Sequence, residues 1–206
     1  MDLYRVFGDN SRVFLQKPTV EGIERFLENQ KNAPFSYFEV GATRNFVRQD
    51  YNVDHNRILI GSGEDDFRAA VEAIRNWKMF NMPWVELHPS DAPIETGTTV
   101  AIVVRHFGFW SMNAARIVYL IDENGDVEKF GFAYGTHAEH AEMGEERFSV
   151  EFHHATGEIW YDLFAFSRPN HFLARLGYPL SRMLQRRFAE DSKQAILRAV
   201  NSRYPI

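Results

Sequence analysis

The stretch from residue 84 to residue 168 constrains the fold most, because its apolar residues recur at every second position, as they do in half-buried β-strands. Turn-forming residues divide it into short segments, and strands that follow one another through short connections pair antiparallel. The pattern predicts six strands, at residues 84–88, 98–107, 110–121, 127–136, 145–154 and 158–167. We therefore expect this part of the chain to form an antiparallel meander.

Glycines mark the turns of this meander. Asn124-Gly125 is the strongest turn signal in the chain and predicts a type I′ hairpin between the strands at 110–121 and 127–136. Gly108 predicts a tight connection, and Gly157 predicts the turn of the last hairpin.

The residues before the meander predict one more strand and two helices. Residues 53–60 alternate like a strand, and residues 64–80 carry apolar side chains at helical spacing. Thr19 can cap a shorter helix in which Ile23 and Phe26 share a face. We expect residues 1–50 to form a layer packed on a main domain that comprises residues 51–206.

The last forty residues predict a long amphipathic helix. Pro169 stops the preceding strand, Asn170 can cap a first helical segment that Gly177 closes, and Pro179 suits the start of the longer segment. The predicted fold class is α+β: a curved antiparallel sheet of about seven strands wrapped on a long C-terminal helix, with a helical N-terminal layer. The apolar stripe that the sheet must cover consists of Leu173, Leu176, Leu180, Leu184, Phe188, Ala195 and Ala199.

Composition and charge exclude several classes of protein. The chain has no cysteine, which excludes disulfides, thiolate metal sites and a cysteine nucleophile. The sequence lacks a signal-peptide pattern and a long apolar run, so we expect no membrane span and a cytoplasmic location. The net charge is −5, yet residues from Ser167 onward are basic. A basic helix on an acidic body favours pairing within the molecule and argues against nucleic-acid binding.

Aromatic residues make up 15% of the chain, and many of them lie in the predicted strands. They can close-pack as a core, or they can line a cavity between a strongly curved sheet and the final helix. In the second case Tyr119 or Tyr134 would supply a polar contact, and Trp160 is a further candidate for contact with a small apolar molecule.

Five blocks of sequence resemble an uncharacterised family, protein family 0548. They are EVGATR at 39–44, GFAYGT at 131–136, GEE at 144–146, AFSRP at 165–169 and QRR at 185–187, in this order across roughly residues 35–200. The family has no established activity. The resemblance also implies a START/Bet v 1-like, helix-grip fold, which agrees with the order of elements predicted from the residues.

Some polar residues are candidates for contact with a ligand. Glu39 and Arg44 flank Gly41, and they either form a buried pair that pins a turn or line the mouth of a pocket. Arg168 either caps backbone carbonyls or reaches an anion. The loop at 135–147 contains His137 and His140 with several glutamates, but its spacing matches no zinc signature. We therefore predict a solvated loop, with no metal and no cofactor.

These features leave three hypotheses open. The first is a module that binds a small hydrophobic or amphipathic molecule between the sheet and the C-terminal helix. The second is an enzyme of hydrolase, cyclase or isomerase type with Glu39, Arg44, Tyr134 and His140 in one pocket. The third is a packed interaction protein with an exposed apolar patch on residues 1–34. The first predicts ligand contacts from Glu39, Arg44, Tyr119, Tyr134, His140, Trp160 and Arg168.

Overall fold

One antiparallel sheet of eight strands organises the computed structural model, which describes residues 13–45, 50–137, 142–169 and 178–202. The helices are α1 (Val20–Gln30), α2 (Gly63–Arg75) and α3 (Tyr178–Asn201), with short 3-10 turns at Ala42–Arg44 and Lys78–Phe80. The strands are β1 (Val13–Phe14), β2 (Asn52–Ser62), β3 (Val85–His88), β4 (Thr99–His106), β5 (Phe109–Glu123), β6 (Val127–Thr136), β7 (Glu142–His153) and β8 (Glu158–Pro169).

The predicted α+β fold, with an antiparallel sheet and a long C-terminal helix, is confirmed. All seven predicted strands are present, in the order β2-β8-β7-β6-β5-β4-β3, and the two-residue β1 pairs with β5 beside them. Thr19 caps α1 as expected, because its hydroxyl accepts a hydrogen bond from the Gly22 nitrogen at 3.2 Å.

The prediction of a type I′ turn at Asn124-Gly125 was wrong in its geometry, although the hairpin exists. Such a turn requires positive φ at both central residues. Neither Asn124 nor Gly125 has positive φ, and three residues separate β5 from β6. The positive φ values occur instead at Phe107 (50°) and Gly108 (82°), between β4 and β5. The tight connection predicted at Gly108 is thus the two-residue turn with this geometry.

The concave face of the sheet carries the main apolar core. Phe132, Phe148 and Tyr161 point to this face and are almost completely buried. They pack with α2 and with the second half of α3, whose Ile196 and Val200 are fully buried. A large apolar side chain buried in this way contributes about 1.5–3 kcal/mol. This half of the concave face is therefore closed by packing.

The convex face of the sheet is covered by the N-terminal segment. Ile23 and Phe26 of α1 are buried against alanine, valine and methionine side chains of β4 and β5. Further along, Tyr37 and Tyr51 pack edge-on against Phe166 of β8, with ring centroids 5.6 Å and 4.8 Å apart. Both faces of the sheet are thus in contact with other parts of the chain.

The final helix contacts the concave face through its predicted stripe. Leu184 and Phe188 pack against the core and Ala195 is buried, whereas Leu180 is exposed. Leu173 and Leu176, like the predicted cap and glycine at 170 and 177, lie outside the described residues. In the described part of the chain, none of the helices has the length and apolar character needed to cross a membrane.

Candidate functional site

Polar and small side chains occupy one end of the concave face, next to the closed core. Strand pairing aligns Tyr134 of β6 with Glu146 of β7, Glu146 with Ala165 of β8, and Ala165 with Asp54 of β2. Alternation along each strand directs all four side chains to the concave side. We call these four residues the polar row.

The small side chain of Ala165 separates two carboxylates within the polar row. The strands that bear Glu146 and Asp54 lie on either side of β8, which places their Cα atoms roughly 10 Å apart. Glu146, Ala165 and Asp54 are all only partly buried. We call the partly exposed position over Ala165, with an acidic residue on each side, the notch.

The first half of α3 faces the polar row. Arg182 forms a two-pronged ion pair with Asp54, at 2.5 Å and 2.6 Å. Gln185 donates to the hydroxyl of Ser167 at 3.0 Å, one position beyond the row along β8 on the same face. Phe188 lies next, with its ring centroid 6.4 Å from that of Phe148. The region thus changes from charged to aromatic along the helix.

Glu146 is the least neutralised acid in this region. Its carboxylate accepts a hydrogen bond from the Tyr134 hydroxyl at 2.7 Å, and within the described residues it has no ion pair. The pKa of Glu146 is raised from 4.5 to about 7. Burial is the largest cause, the hydrogen bond from Tyr134 lowers the pKa, and the charge of Asp54 raises it. Burial also raises the pKa of Tyr134 well above its ordinary value, so its phenol remains a proton donor.

The adjacent residue, Glu145, points to the convex face and binds the N-terminal segment. Its carboxylate accepts hydrogen bonds from the Tyr37 hydroxyl (2.7 Å), the Gly41 nitrogen (2.6 Å) and the Thr43 nitrogen (3.0 Å), and also from the Thr43 hydroxyl. We call this arrangement the convex clamp. Because four donors satisfy a buried carboxylate, its role is to hold residues 37–43 on the sheet.

Charged groups continue from the convex clamp across the sheet. Arg147 donates to the backbone oxygen of Thr43 at 2.8 Å and to Asp162 at 2.9 Å. His55 also contacts the buried Asp162, at 2.5 Å. Arg57 lies 3.9 Å from the same carboxylate. This network connects the N-terminal segment to β2, β7 and β8 without reaching the concave side.

The structure separates the candidate residues between the two faces. Tyr134 lies in the polar row on the concave face. Glu39 and Arg44 lie on the convex side, where Glu39 accepts from Tyr51 at 2.8 Å and the Arg44 guanidinium stacks 4.0 Å from the Tyr119 ring. Tyr134 therefore does not share one pocket with Glu39 and Arg44, as the enzyme hypothesis required, because it lies on the opposite side of the sheet from them.

Tyr119 was expected as a polar contact on the concave side, and a β-bulge explains why it is not there. The register between β5 and β6 shifts between Ile117 and Tyr119. Ile117 packs in the concave core, whereas Tyr119 pairs with Ala133 and points to the convex face, where its hydroxyl lies 2.8 Å from that of Thr43. An inserted residue reverses the alternation that follows it.

Trp160 and Arg168 also belong to the convex face. Arg57 stacks over the Trp160 ring at 4.6 Å. Arg168 stacks over Tyr51 at 4.6 Å and forms an ion pair with Asp50 at 2.7 Å. His140 lies outside the described residues. In the described ranges, no group of three or more His, Asp or Glu side chains is arranged to hold a metal ion.

Sequence reasoning missed Glu146, Asp54 and Ala165. Strand alternation alone places Glu145 and Glu146 on opposite faces, which was an available signal. The register that aligns Asp54 with Ala165 depends on the pairing of β2 with β8, between which residues 63–157 intervene. Spacing within one strand does not encode such a pairing.

Comparison with known proteins identifies the family. Residues 36–195 match the family described as "Domain of unknown function (DUF1990)". The chain belongs to this family. It is similar to UPF0548 proteins of Dictyostelium discoideum, with 34% identity over 206 residues covering 91% of this chain and 95% of the relative, and of Arabidopsis thaliana, with 38% identity over 159 residues covering 75% and 76%. The resemblance to family 0548 is therefore confirmed.

Solved structures are similar to this DUF1990 chain at low sequence identity. A hypothetical protein from Helicobacter pylori matches with a TM-score of 0.50 and 10% identity, covering 84% of this chain and all of the other (100%). A norcoclaurine synthase point mutant from Thalictrum, in complex with a transition-state analogue, has a TM-score of 0.46 and 12% identity, covering 78% of this chain and 100% of the other. Human STARD10 has a TM-score of 0.45 and 10% identity, covering 96% and 86%.

The blocks that carry the family resemblance meet around one part of the sheet. GFAYGT contributes Tyr134, GEE contributes Glu145 and Glu146, and AFSRP contributes Ala165. QRR begins with the glutamine that contacts β8, and EVGATR supplies the backbone nitrogens of the convex clamp. The family blocks therefore contribute three of the four residues of the polar row, all but Asp54, and most of the convex clamp directly behind it.

Proposed function

We propose that this protein binds a small amphipathic molecule between the polar row and the first half of α3. The observation that carries the proposal is the contrast along the concave face. The core beneath the second half of α3 is closed by packing, whereas Glu146, Ala165 and Asp54 remain partly accessible under the first half.

The chemistry of this region suits a molecule with one polar and one apolar end. Glu146 and the Tyr134 hydroxyl offer hydrogen-bonding groups at the floor. Leu184 and Phe188 of α3, and Ile102 and Val104 of β4, are apolar and only partly buried around the same core. Ligand sites commonly combine mostly apolar walls with a few convergent polar groups.

Native mass spectrometry of the purified protein, followed by denaturing extraction, tests the proposal. We expect a stoichiometric small-molecule adduct that is lost from Ala165→Leu, because the added carbons fill the notch between Glu146 and Asp54. Ala155→Leu is the matched control, since Ala155 is exposed in the turn between β7 and β8. The control should retain the adduct.

A groove elsewhere on the protein is a second candidate ligand site, so the test must distinguish it from the polar row. A groove of about 370 Å³ lies between the end of α2 and the β5–β6 hairpin, with Ile94, Leu120 and Phe130 among its lining residues. An adduct that survives Ala165→Leu and is lost from Leu120→Asp would contradict binding at the polar row. Absence of any adduct, together with no uptake from a panel of lipids and metabolites, would favour the packed interaction protein.

Proton transfer at Glu146 is a second candidate function. Its pKa of about 7 and its hydrogen bond to Tyr134 give a carboxyl group that can both accept and donate a proton near neutral pH. A single acid–base group of this kind suits an isomerase or a cyclase. Turnover of an extracted ligand by the wild-type protein and loss of turnover in Glu146→Gln, with the ligand still bound, would support it.

A further inference from the structure

We propose that the ligand's polar end is an organic cation, an ammonium group that pairs with Glu146 over the notch at Ala165. This inference rests on the proposed function and specifies the chemical class of its ligand. It follows from the balance of charges in the polar row and from the shape of the notch.

Of the two acidic residues beside the notch, one has no cationic partner among the described residues. Asp54 from β2 is neutralised by Arg182 from α3 through two hydrogen bonds. Glu146 from β7 receives only the neutral phenol of Tyr134 from β6. The floor between the two acids is the methyl group of Ala165, which contributes no hydrogen-bonding group. A ligand cation would complete a second ion pair beside the first.

The hydrogen bond from Tyr134 to Glu146 leaves one carboxylate oxygen of Glu146 for contact with a ligand cation. Tyr134 occupies one carboxylate oxygen, Oε2, and the described residues give no hydrogen bond to the other, Oε1. An ammonium group has three donors and no acceptor, so it matches an oxygen that needs a donor. A carboxylate or phosphate ligand would instead be repelled by the negative charge of Glu146.

The titration of Glu146 is consistent with a missing cation. Its pKa is raised to about 7, chiefly by burial, with the charge of Asp54 acting in the same direction and the Tyr134 hydrogen bond against it. The other groups facing it are the Tyr134 and Tyr161 phenols, whose pKa values burial raises, and the Arg182 guanidinium, which Asp54 holds. A bound ammonium group favours the ionised form of Glu146, so the site is most complete when both partners carry charge.

Three probes with the same alkyl chain test this inference: octylamine, n-octanol and octanoate. Their affinities are measured by displacement of Nile red at about pH 8, where Glu146 is mostly ionised and the amine is protonated. In the wild-type protein we expect octylamine to bind roughly ten- to a hundred-fold more tightly than octanol, the usual value of a hydrogen bond to a charged group. Octanoate should bind more weakly than octanol.

Glu146→Gln should remove the preference for the amine and leave octanol binding within about two-fold, because the amide keeps the size of the side chain and an acceptor for Tyr134. Glu123→Gln, at the exposed end of β5, should keep the wild-type order of affinities. If octanol binds and all three probes bind alike, or if octanoate binds best, the cation inference is wrong while the proposed function stands. If none of the probes binds, both are wrong.

Discussion

Replacing Glu146 with glutamine should make the protein more stable at neutral and alkaline pH and little different at acid pH. The wild-type carboxylate lies among buried side chains and near Asp54, and it has only a phenol as hydrogen-bond donor in the described residues. Ionising it in the folded protein is therefore unfavourable compared with ionising it in the unfolded chain. Glutamine keeps the shape and the acceptor for Tyr134 but has no charge to bury.

The size and sign of the effect follow from the pKa difference. Each tenfold difference in proton affinity corresponds to about 1.4 kcal/mol, so a pKa raised from 4.5 to about 7 corresponds to about 3 kcal/mol. Below about pH 4.5 the carboxyl group is protonated in both states and this penalty is absent. As the pH rises, the unfolded chain loses the proton first, and the folded state loses stability until the pH passes about 7.

Urea unfolding followed by tryptophan fluorescence, at several values between about pH 5 and pH 8, measures this difference. We expect the stability of Glu146→Gln relative to wild type to increase across that range by up to about 3 kcal/mol, with partial exposure of the side chain reducing the observed value. Glu123→Gln should show no such trend, because Glu123 is exposed. A constant difference between Glu146→Gln and wild type at every pH would refute the reasoning.

Two further predictions concern the same region of the sheet. Gly135→Ala should lower the free energy of unfolding by roughly 1–3 kcal/mol, because its new Cβ would lie 2.1 Å from the Tyr37 hydroxyl oxygen. Gly125→Ala is the control, since a Cβ at Gly125 would have no atom within 4 Å. Equal effects of the two substitutions in urea unfolding would contradict the contact between Gly135 and Tyr37. Asp54→Asn should lower the apparent pKa of Glu146, since it removes a negative charge that raises this pKa. Carbon NMR of the carboxyl group measures this pKa, and an unchanged or raised value would count against the proposed electrostatics.

The fold was largely predictable because its signals are local. Alternation and turn residues located the strands from β2 to β8, and the threonine cap located the start of α1. Asn124-Gly125 indicated a hairpin but not its geometry, because a three-residue connection can join β5 and β6 without positive φ at either residue. In the β4–β5 turn, which does require positive φ, one of the two positions is Phe107. Positive φ is rare for a bulky residue such as phenylalanine, so nothing in the sequence indicated this conformation.

The site was only partly predictable because its geometry depends on pairing between distant strands. Tyr134 could be placed by alternation within one strand. Tyr119 could not, because the bulge between Ile117 and Tyr119 reverses the face to which Tyr119 points. Glu39 and Arg44 were expected either to form a buried pair or to line the mouth of a pocket. Instead, Glu39 accepts a hydrogen bond from Tyr51 and Arg44 stacks on Tyr119. The partner of that loop is Glu145, a residue that the sequence shows only as one of two adjacent glutamates.

The convex clamp has a consequence for how the chain folds as it is made. Gly41 and its acceptor Glu145 are 104 positions apart, so the loop leaves the ribosome long before the carboxylate that binds it exists. At a synthesis rate of roughly 5–20 residues per second, this delay is about 5–20 s. Contacts of such long sequence separation also form slowly, because the intervening chain must first be ordered. The loop at residues 37–43 therefore reaches its final position on the sheet only after β7 has been synthesised, whereas α1 packs on β4 and β5, which are made earlier.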